Sequence, residues 1–214
     1  MLRALCWFAL IALAPPAIGQ DPSLNTRLLA AARAGDQTGV QRAIADGAAV
    51  NARNRLGETA LVIALKGNRP ALALQMIDAG TDVNLAAANG VTPLMAAAHG
   101  GYVEVARVLL AKGADVSAVD QLKKNAMTYA AGQGHTEVVV LLLQAGVDPN
   151  ALYAHDLTAL MWAAGYGQTE TVKRLLAAGA KANLKDDRGK TALDMAREGN
   201  YGETVTLLER ASGS

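Results

Sequence analysis

Cysteine is almost absent from these 214 residues; Cys6 is the only one. It lies in an apolar leader, so the chain beyond it can form no disulfide and do no thiol chemistry. Aromatic residues make up only 4 %, and there are three histidines. Small apolar residues with so few rings suit closely packed helices and suit a large central cavity poorly. Excess charge of one sign is missing too. The chain has 20 Lys and Arg against 19 Asp and Glu, and without residues 1–19, which hold Arg3 and no acid, the two counts are equal at 19. That balance excludes the general basic excess behind non-specific nucleic-acid binding. Catalytic signatures are also lacking: there is no G-x-S-x-G elbow, no Walker loop and no H-E-x-x-H.

What is present begins with the leader. Arg3 and the terminal amine precede an apolar run of 11 residues, Ala4 to Ala14. Pro15 and Pro16 break it, and Ala17-Ile18-Gly19 supplies small residues at the −3 and −1 positions. This layout predicts a signal peptide over residues 1–19, cleaved after Gly19. The run is too short for a membrane span, which needs about 20 apolar residues. Cys6 follows Arg3-Ala4-Leu5 and lacks the small residue that precedes a lipidated Cys. The expected location is periplasmic or secreted, without membrane contact once the leader is removed.

The rest of the chain repeats with a period of 33 residues. Thr59-Ala60-Leu61, Thr92-Pro93-Leu94, Thr158-Ala159-Leu160 and Thr191-Ala192-Leu193 share one grid. Asn125-Ala126-Met127 fills the gap, and Thr26-Arg27-Leu28 lies one period upstream. Gly47, Gly80, Gly113, Gly146 and Gly179 keep the same step, as do Asn51, Asn84, Ser117, Asn150 and Asn183. Thr or Asn at a helix start accepts a bond from an otherwise unpaired N–H, and Pro93 is harmless at the first helical position. The spacing predicts a short helix over Pro93 to His99 and a second over about Tyr102 to Lys112, with Gly113 as its stop. Gly100-Gly101 and Gly132-Gln133-Gly134 read as turn glycines between the helices. An extended hairpin completes the unit.

These units resemble ankyrin repeats, on Thr92-Pro93-Leu94, Gly113-Ala114-Asp115-Val116-Ser117, Gly146-Val147-Asp148-Pro149-Asn150 and Gly134-His135-Thr136-Glu137-Val138-Val139. The resemblance covers about residues 21 to 211 and looks bacterial and exported. It implies an all-α repeat solenoid of stacked helix-turn-helix units with β-hairpin loops. Residues 20–214 then divide into repeats at about 21–53, 54–86, 87–119, 120–152, 153–185 and 186–214. One departure is systematic. The family's His three residues after the starting Thr is Leu29, Val62, Met95, Thr128, Met161 or Asp194 here. The resemblance assigns that His to ties between repeats, so its loss shifts the burden to apolar packing. Polar end repeats are expected, with Gln37, Gln41, Arg42 and Asp46 at one end and Glu203, Thr206, Glu209 and Arg210 at the other.

No catalytic residue, cofactor site or metal site stands out. His99, His135 and His155 fall in three different repeats, too far apart for one ion with ligands at about 2 Å. Asp186 and Asp187 read as solvated hairpin acids. The resemblance implies binding through hairpin tips and the concave helix face. The outward positions on that pattern are Leu56, Val91, His99, Leu122, Lys124, Leu152, His155, Leu157 and Tyr166. Leu122, Leu152, Leu157 and Tyr166 would form an apolar patch, with Trp162 near by in a slot that is usually core. The hairpin glycine of Gly57, Gly90 and Gly189 is Lys123 and Asp156 in repeats four and five, so those tips either change shape or carry strain. Contact is expected there.

The expected function is thus a monomeric, non-enzymatic scaffold that binds a protein partner outside the cytoplasm. An accessory factor for a periplasmic enzyme and a secreted effector that binds a host protein are its two variants.

Overall fold

The computed structural model describes residues 22–212. The expected signal peptide, residues 1–19, and the cleavage after Gly19 lie outside the described residues. Those described form six consecutive helix pairs. They are α1 (Pro22–Ala34) with α2 (Gln37–Ala45), α3 (Ala60–Lys66) with α4 (Pro70–Asp78), and α5 (Pro93–Gly100) with α6 (Val103–Ala111). Then come α7 (Ala126–Gln133) with α8 (Thr136–Gln144), α9 (Ala159–Gly165) with α10 (Thr169–Ala177), and α11 (Ala192–Glu198) with α12 (Gly202–Ser212). Each first helix packs on the first helix of the next pair, and second helices stack likewise from α4 onward. The chain is an all-helical repeat solenoid. The hairpins are too short to build strands: among the described residues the only bridge joins Arg53 and Thr59.

The starts of α3, α5, α7, α9 and α11 are capped as the sequence predicts. Thr59, Thr92, Asn125, Thr158 and Thr191 each accept a bond from the N–H three residues on. Such a cap is worth about 1 kcal/mol. Thr26 breaks the series, because α1 begins at Pro22 and takes Thr26 into its body. The family His is replaced by more than apolar packing. Thr128 Oγ1 accepts from Asn125 N–H at 3.0 Å, and Asp194 Oδ2 accepts from Thr191 N–H at 2.9 Å. These side chains close a capping box, which Met161 closes more weakly through its sulfur, accepting from Thr158 N–H at 3.4 Å, and which a Val cannot close.

Two sets of columns make the core. Leu28, Leu61, Leu94, Met127 and Leu160 recur every 33 residues on the first helices, and Met76, Leu109, Leu142, Leu175 and Leu208 on the second. All are at most 1 % exposed. Fully burying one such side chain contributes about 1.5–3 kcal/mol, and the column contacts are shared between neighbouring repeats. The polar residues expected at both ends of the stack are exposed, Gln37, Gln41, Arg42 and Asp46 first and Glu203, Thr206, Glu209 and Arg210 last.

Between the helices of a pair only part of each glycine run turns. Gly101 and Gly134 are left-handed, at φ 69° and 76°, whereas Gly100 and Gly132 belong to α5 and α7. Gly101 is doubly constrained, since a Cβ there would sit 2.5 Å from the His135 ring. His135 thus lies over the preceding turn, its Nε2 2.9 Å from the His99 carbonyl oxygen.

Candidate functional site

The first helices line one side of the stack, and the 33-residue period sets their side chains in columns. Arg33, Lys66, His99, Gly132, Gly165 and Glu198 form one column. Ile63, Ala96, Tyr129, Trp162 and Met195 form the next, and Glu58, Val91, Lys124, Leu157 and Lys190 a third at the hairpin edge. The middle of this face is aromatic. His99 meets Tyr129 edge-on at 5.6 Å between ring centres, and Trp162 stacks on Tyr166 at 6.1 Å with planes 5° apart. The Lys124 ammonium bridges the two pairs, 4.5 Å from the Trp162 ring centre and 5.8 Å from that of Tyr129. Gly132 leaves the floor open beneath the stack: a Cβ there would meet Trp162 at 3.6 Å and Tyr166 at 3.7 Å.

A groove of about 460 Å³ runs across α3, α5 and α7, walled by Lys66, Val91, Met95, His99, Tyr102 and Tyr129 among others. It spans repeats two to four. This groove sits nearer the N-terminus than repeats four and five, where contact is expected from the hairpins. The aromatic stripe runs on from it into repeat five.

Three carboxylates on this side, Glu58, Asp120 and Asp186, are turned inward. Burial acts to raise the Glu58 carboxyl, but hydrogen bonds from Lys66 and Asn54 and the charges of Lys66 and Arg33 hold it below its usual value. Asp120 is 4 % exposed. It accepts from Leu122 N–H at 2.8 Å, Lys124 N–H at 2.9 Å and Tyr129 O–H at 2.5 Å. Burial and this carboxylate push the Tyr129 hydroxyl far up, so it remains a neutral donor. Asp186 holds the sixth tip in the same way, accepting from Arg188 and Lys190 N–H. It is a buried tip anchor and not a solvated acid.

The two tips without glycine behave differently. Lys123 stays left-handed at φ 58° in an otherwise unchanged turn. The fifth tip changes shape: His155 and Asp156 are both left-handed, at φ 61° and 56°, within a single 3₁₀ turn. A ladder of backbone bonds links other neighbouring tips, Ala88 N–H to Leu56 O at 2.9 Å, Gln121 to Asn89 at 3.0 Å and Asp187 to His155 at 3.1 Å. The equivalent bond from Ala154 to Leu122 does not form. Two buried polar atoms of the fifth repeat, Tyr153 Oη and Trp162 Nε1, lack a hydrogen-bond partner among the described residues.

Of the residues expected to face a partner, Leu56, Leu122, Leu152 and Tyr166 are strongly exposed, at 56–66 %. His99 is exposed on the aromatic stripe, and Lys124 is half-buried over it. His155 lies at the fifth tip, its Nδ1 2.8 Å from Asp187 Oδ2. Val91 and Leu157 are only half-exposed and pack against the core, which removes Leu157 from the apolar patch. Trp162 is half-buried and shows one face on the stripe. Tyr129 was not singled out by sequence reasoning. Its signal is there, one period before Trp162.

Among the described residues no group of three His, Cys, Asp or Glu is placed to hold a metal ion, and no helix is long and apolar enough to cross a membrane. No match was found among curated proteins. The family model for ankyrin repeats (3 copies) matches residues 28–120, 71–153 and 127–213. The crystal structure of EF0377, an ankyrin repeat protein, is 31 % identical. That match covers 87 % of this chain and 98 % of the other, with a TM-score of 0.77. The chain belongs to the ankyrin-repeat family, whose repeats are general protein–protein interaction modules.

Proposed function

We propose that this protein is a monomeric, non-enzymatic scaffold that acts outside the cytoplasm and binds a partner protein across the concave face of repeats two to five. One observation carries the reading. His99 with Tyr129 and Trp162 with Tyr166 form two aromatic pairs joined across Lys124 into one stripe that starts in a groove of about 460 Å³. Aromatic side chains in a concave setting with a polar rim supply much of the affinity at protein interfaces. Export rests on the leader over residues 1–19 alone.

Site-specific photo-crosslinking in the producing cell tests the docking face. A photo-reactive residue at Tyr166 or His99 is expected to give a discrete adduct. One at Arg107 or Gln144, on the opposite helices α6 and α8, is expected to give none. Adducts only from the opposite side would overturn the reading. Fractionation with N-terminal sequencing tests export, with Gln20 expected as the first residue of the mature protein.

A further inference from the structure

The chain is nearly neutral, yet its charges are segregated. The first helices and tips of repeats one to four (22–34, 53–66, 86–100 and 119–133) hold seven cations and two carboxylates. Arg27 pairs at 3.6 Å with Asp46, the residue that follows α2, and leaves this face. The other six are Arg33, Arg53, Arg55, Lys66, Lys123 and Lys124. Both carboxylates are withdrawn. Glu58 is 6 % exposed and bonded to Lys66 and Asn54, and Asp120 is 4 % exposed and bonded to its own turn and to Tyr129. Opposite, the second helices and loops of the same repeats (35–52, 67–85, 101–118 and 134–151) hold eight carboxylates and four cations.

We propose that the concave face of repeats one to four receives an acidic protein segment that sets an apolar side chain in the groove between Val91, Met95 and Tyr129. The inference rests on the docking reading above and adds the chemistry of the occupant. Arg33 and Arg55 are exposed and have no hydrogen-bond or salt-bridge partner among the described residues, so their charge is available to an incoming anion. Lys124 stands over the aromatic stripe, where exclusion of water would strengthen its pull on a carboxylate. The groove floor distinguishes a protein segment from nucleic acid or lipid headgroups. Val91, Met95 and Ala96 offer it apolar contact and no phosphate ligand. The basic excess also stops within the stack. At the junction with the sixth repeat and within it, Lys185, Arg188 and Lys190 are interspersed with Asp186, Asp187 and Glu198, which gives no continuous track for a long polyanion.

Selection from a phage-displayed library of random peptides, with the protein purified from the producing cell as bait, tests the proposal. The bound peptides are expected to be rich in Asp and Glu around one large apolar residue. Their affinity is expected to fall more than about tenfold in the double variant Arg33→Glu, Arg55→Glu, and with rising salt. Arg55 has no bond among the described residues and Arg33 acts on the fold through its charge near Glu58, so circular dichroism and a thermal melt check that the double variant is intact. Lys66 is left alone because its loss would strand the buried Glu58 carboxylate. Neutral or basic peptides that still compete with a Tyr166 crosslink would overturn the acidic occupant and leave the docking face standing. Peptides insensitive to both tests would overturn both readings. Failure to select any peptide, or equal charge-dependent capture of DNA or anionic phospholipid vesicles, would also overturn the acidic segment.

Discussion

The Lys124 ammonium of the fourth repeat lies 4.5 Å from the ring centre of Trp162 in the fifth. The pair joins two repeats whose tips share no backbone bond. A cation over an indole at a partly exposed site contributes about 0.5–1 kcal/mol. Lys124→Met keeps the stem and removes the charge, so stability is expected to fall by about that amount. Trp7 is the only other tryptophan, so in protein without the leader Trp162 is the single source of tryptophan emission. Urea denaturation followed by its emission measures the loss, and the native emission is expected to shift. Unchanged emission and midpoint would show that the contact is not held in solution.

Lys123 occupies a left-handed position, φ 58°, that glycine fills in three other tips. A side chain there costs roughly 1 kcal/mol, partly offset by the greater freedom of glycine in the unfolded chain. Lys123→Gly is therefore expected to stabilise by about 0.5–1 kcal/mol in chemical denaturation. Asp156→Gly is expected to gain less, because Asp tolerates this conformation. An equal or larger gain at Asp156 would mean that the reshaped fifth tip, with two successive left-handed residues, carries the greater strain.

Acid is expected to weaken the stack through carboxyls held below their usual values, Glu58 and Asp194 among them. The Glu58 carboxyl lies below its usual 4.5 despite its burial, through Lys66 and Asn54. The Asp194 carboxyl lies below its usual 3.8, through hydrogen bonds from the Thr191 backbone and side chain. A folded-state value below the unfolded one means stability that is fully present above the unfolded value and is lost as pH falls through the folded one. Denaturation midpoints are expected to hold from neutral pH to about 5 and to drop below about 4.5. Glu58→Gln is expected to lower the neutral-pH midpoint and to make the acid loss shallower. A parallel acid profile in the variant would remove Glu58 as a contributor.

The helix caps and second-helix stops were legible in the sequence because one residue decides each. A Thr oxygen caps or it does not, and a left-handed stop asks for glycine. Thr26 misled because nothing in its own residues shows that α1 starts a turn earlier. The concave stripe was only half legible. Tyr166 follows from the register of the repeat, but Tyr129 and Gly132 acquire their roles from the neighbouring repeat, through His99 on one side and Trp162 on the other. Leu157 and Val91 read as outward by register and fold back on the core, because apolar side chains at a tip's base gain more from burial than from water. Asp186 read as a solvated hairpin acid, yet its carboxylate is consumed by the N–H groups of its own turn, as is that of Asp120.

Gly132 gives a way to separate stability from binding. It sits inside α7 without a left-handed conformation, so alanine is expected to gain about 0.5–1 kcal/mol of helix propensity. Its Cβ would meet Trp162 and Tyr166 at ordinary contact distances, 3.6 and 3.7 Å. Gly132→Ala is therefore expected to raise the thermal midpoint. Gly132→Glu is expected to keep the fold and weaken partner capture, since it adds a carboxylate beside the stripe. Full capture by a folded Gly132→Glu protein would place the contact elsewhere.

Ser117 marks the weakest point in the ladder along the hairpin bases. Asn84 Oδ1 accepts from Asp115 N–H at 2.8 Å while its Nδ2 donates to Gly113 O at 3.0 Å. Asn150 does the same with Lys181 N–H at 2.8 Å and Gly179 O at 3.0 Å. Each asparagine ties its repeat to the next with two bonds. Ser117 stands one period from both, but its hydroxyl is too short to cross and instead donates to Asp115 Oδ1 at 2.6 Å. The third and fourth repeats therefore lack the tie that would reach Asp148 N–H and Gly146 O. Ser117→Asn supplies the missing length, and two new bonds at a mostly exposed site are worth about 1–2 kcal/mol together. Because stability in a stack is a sum over neighbouring units, that gain should appear in full in the equilibrium denaturation of the whole array. It should also slow hydrogen exchange at α6 and α8 more than at α2 or α12, which lie farther from the new tie. A uniform slowing along the array would mean that the repeats unfold as one unit, and no change in midpoint would mean that the new side chain does not reach across.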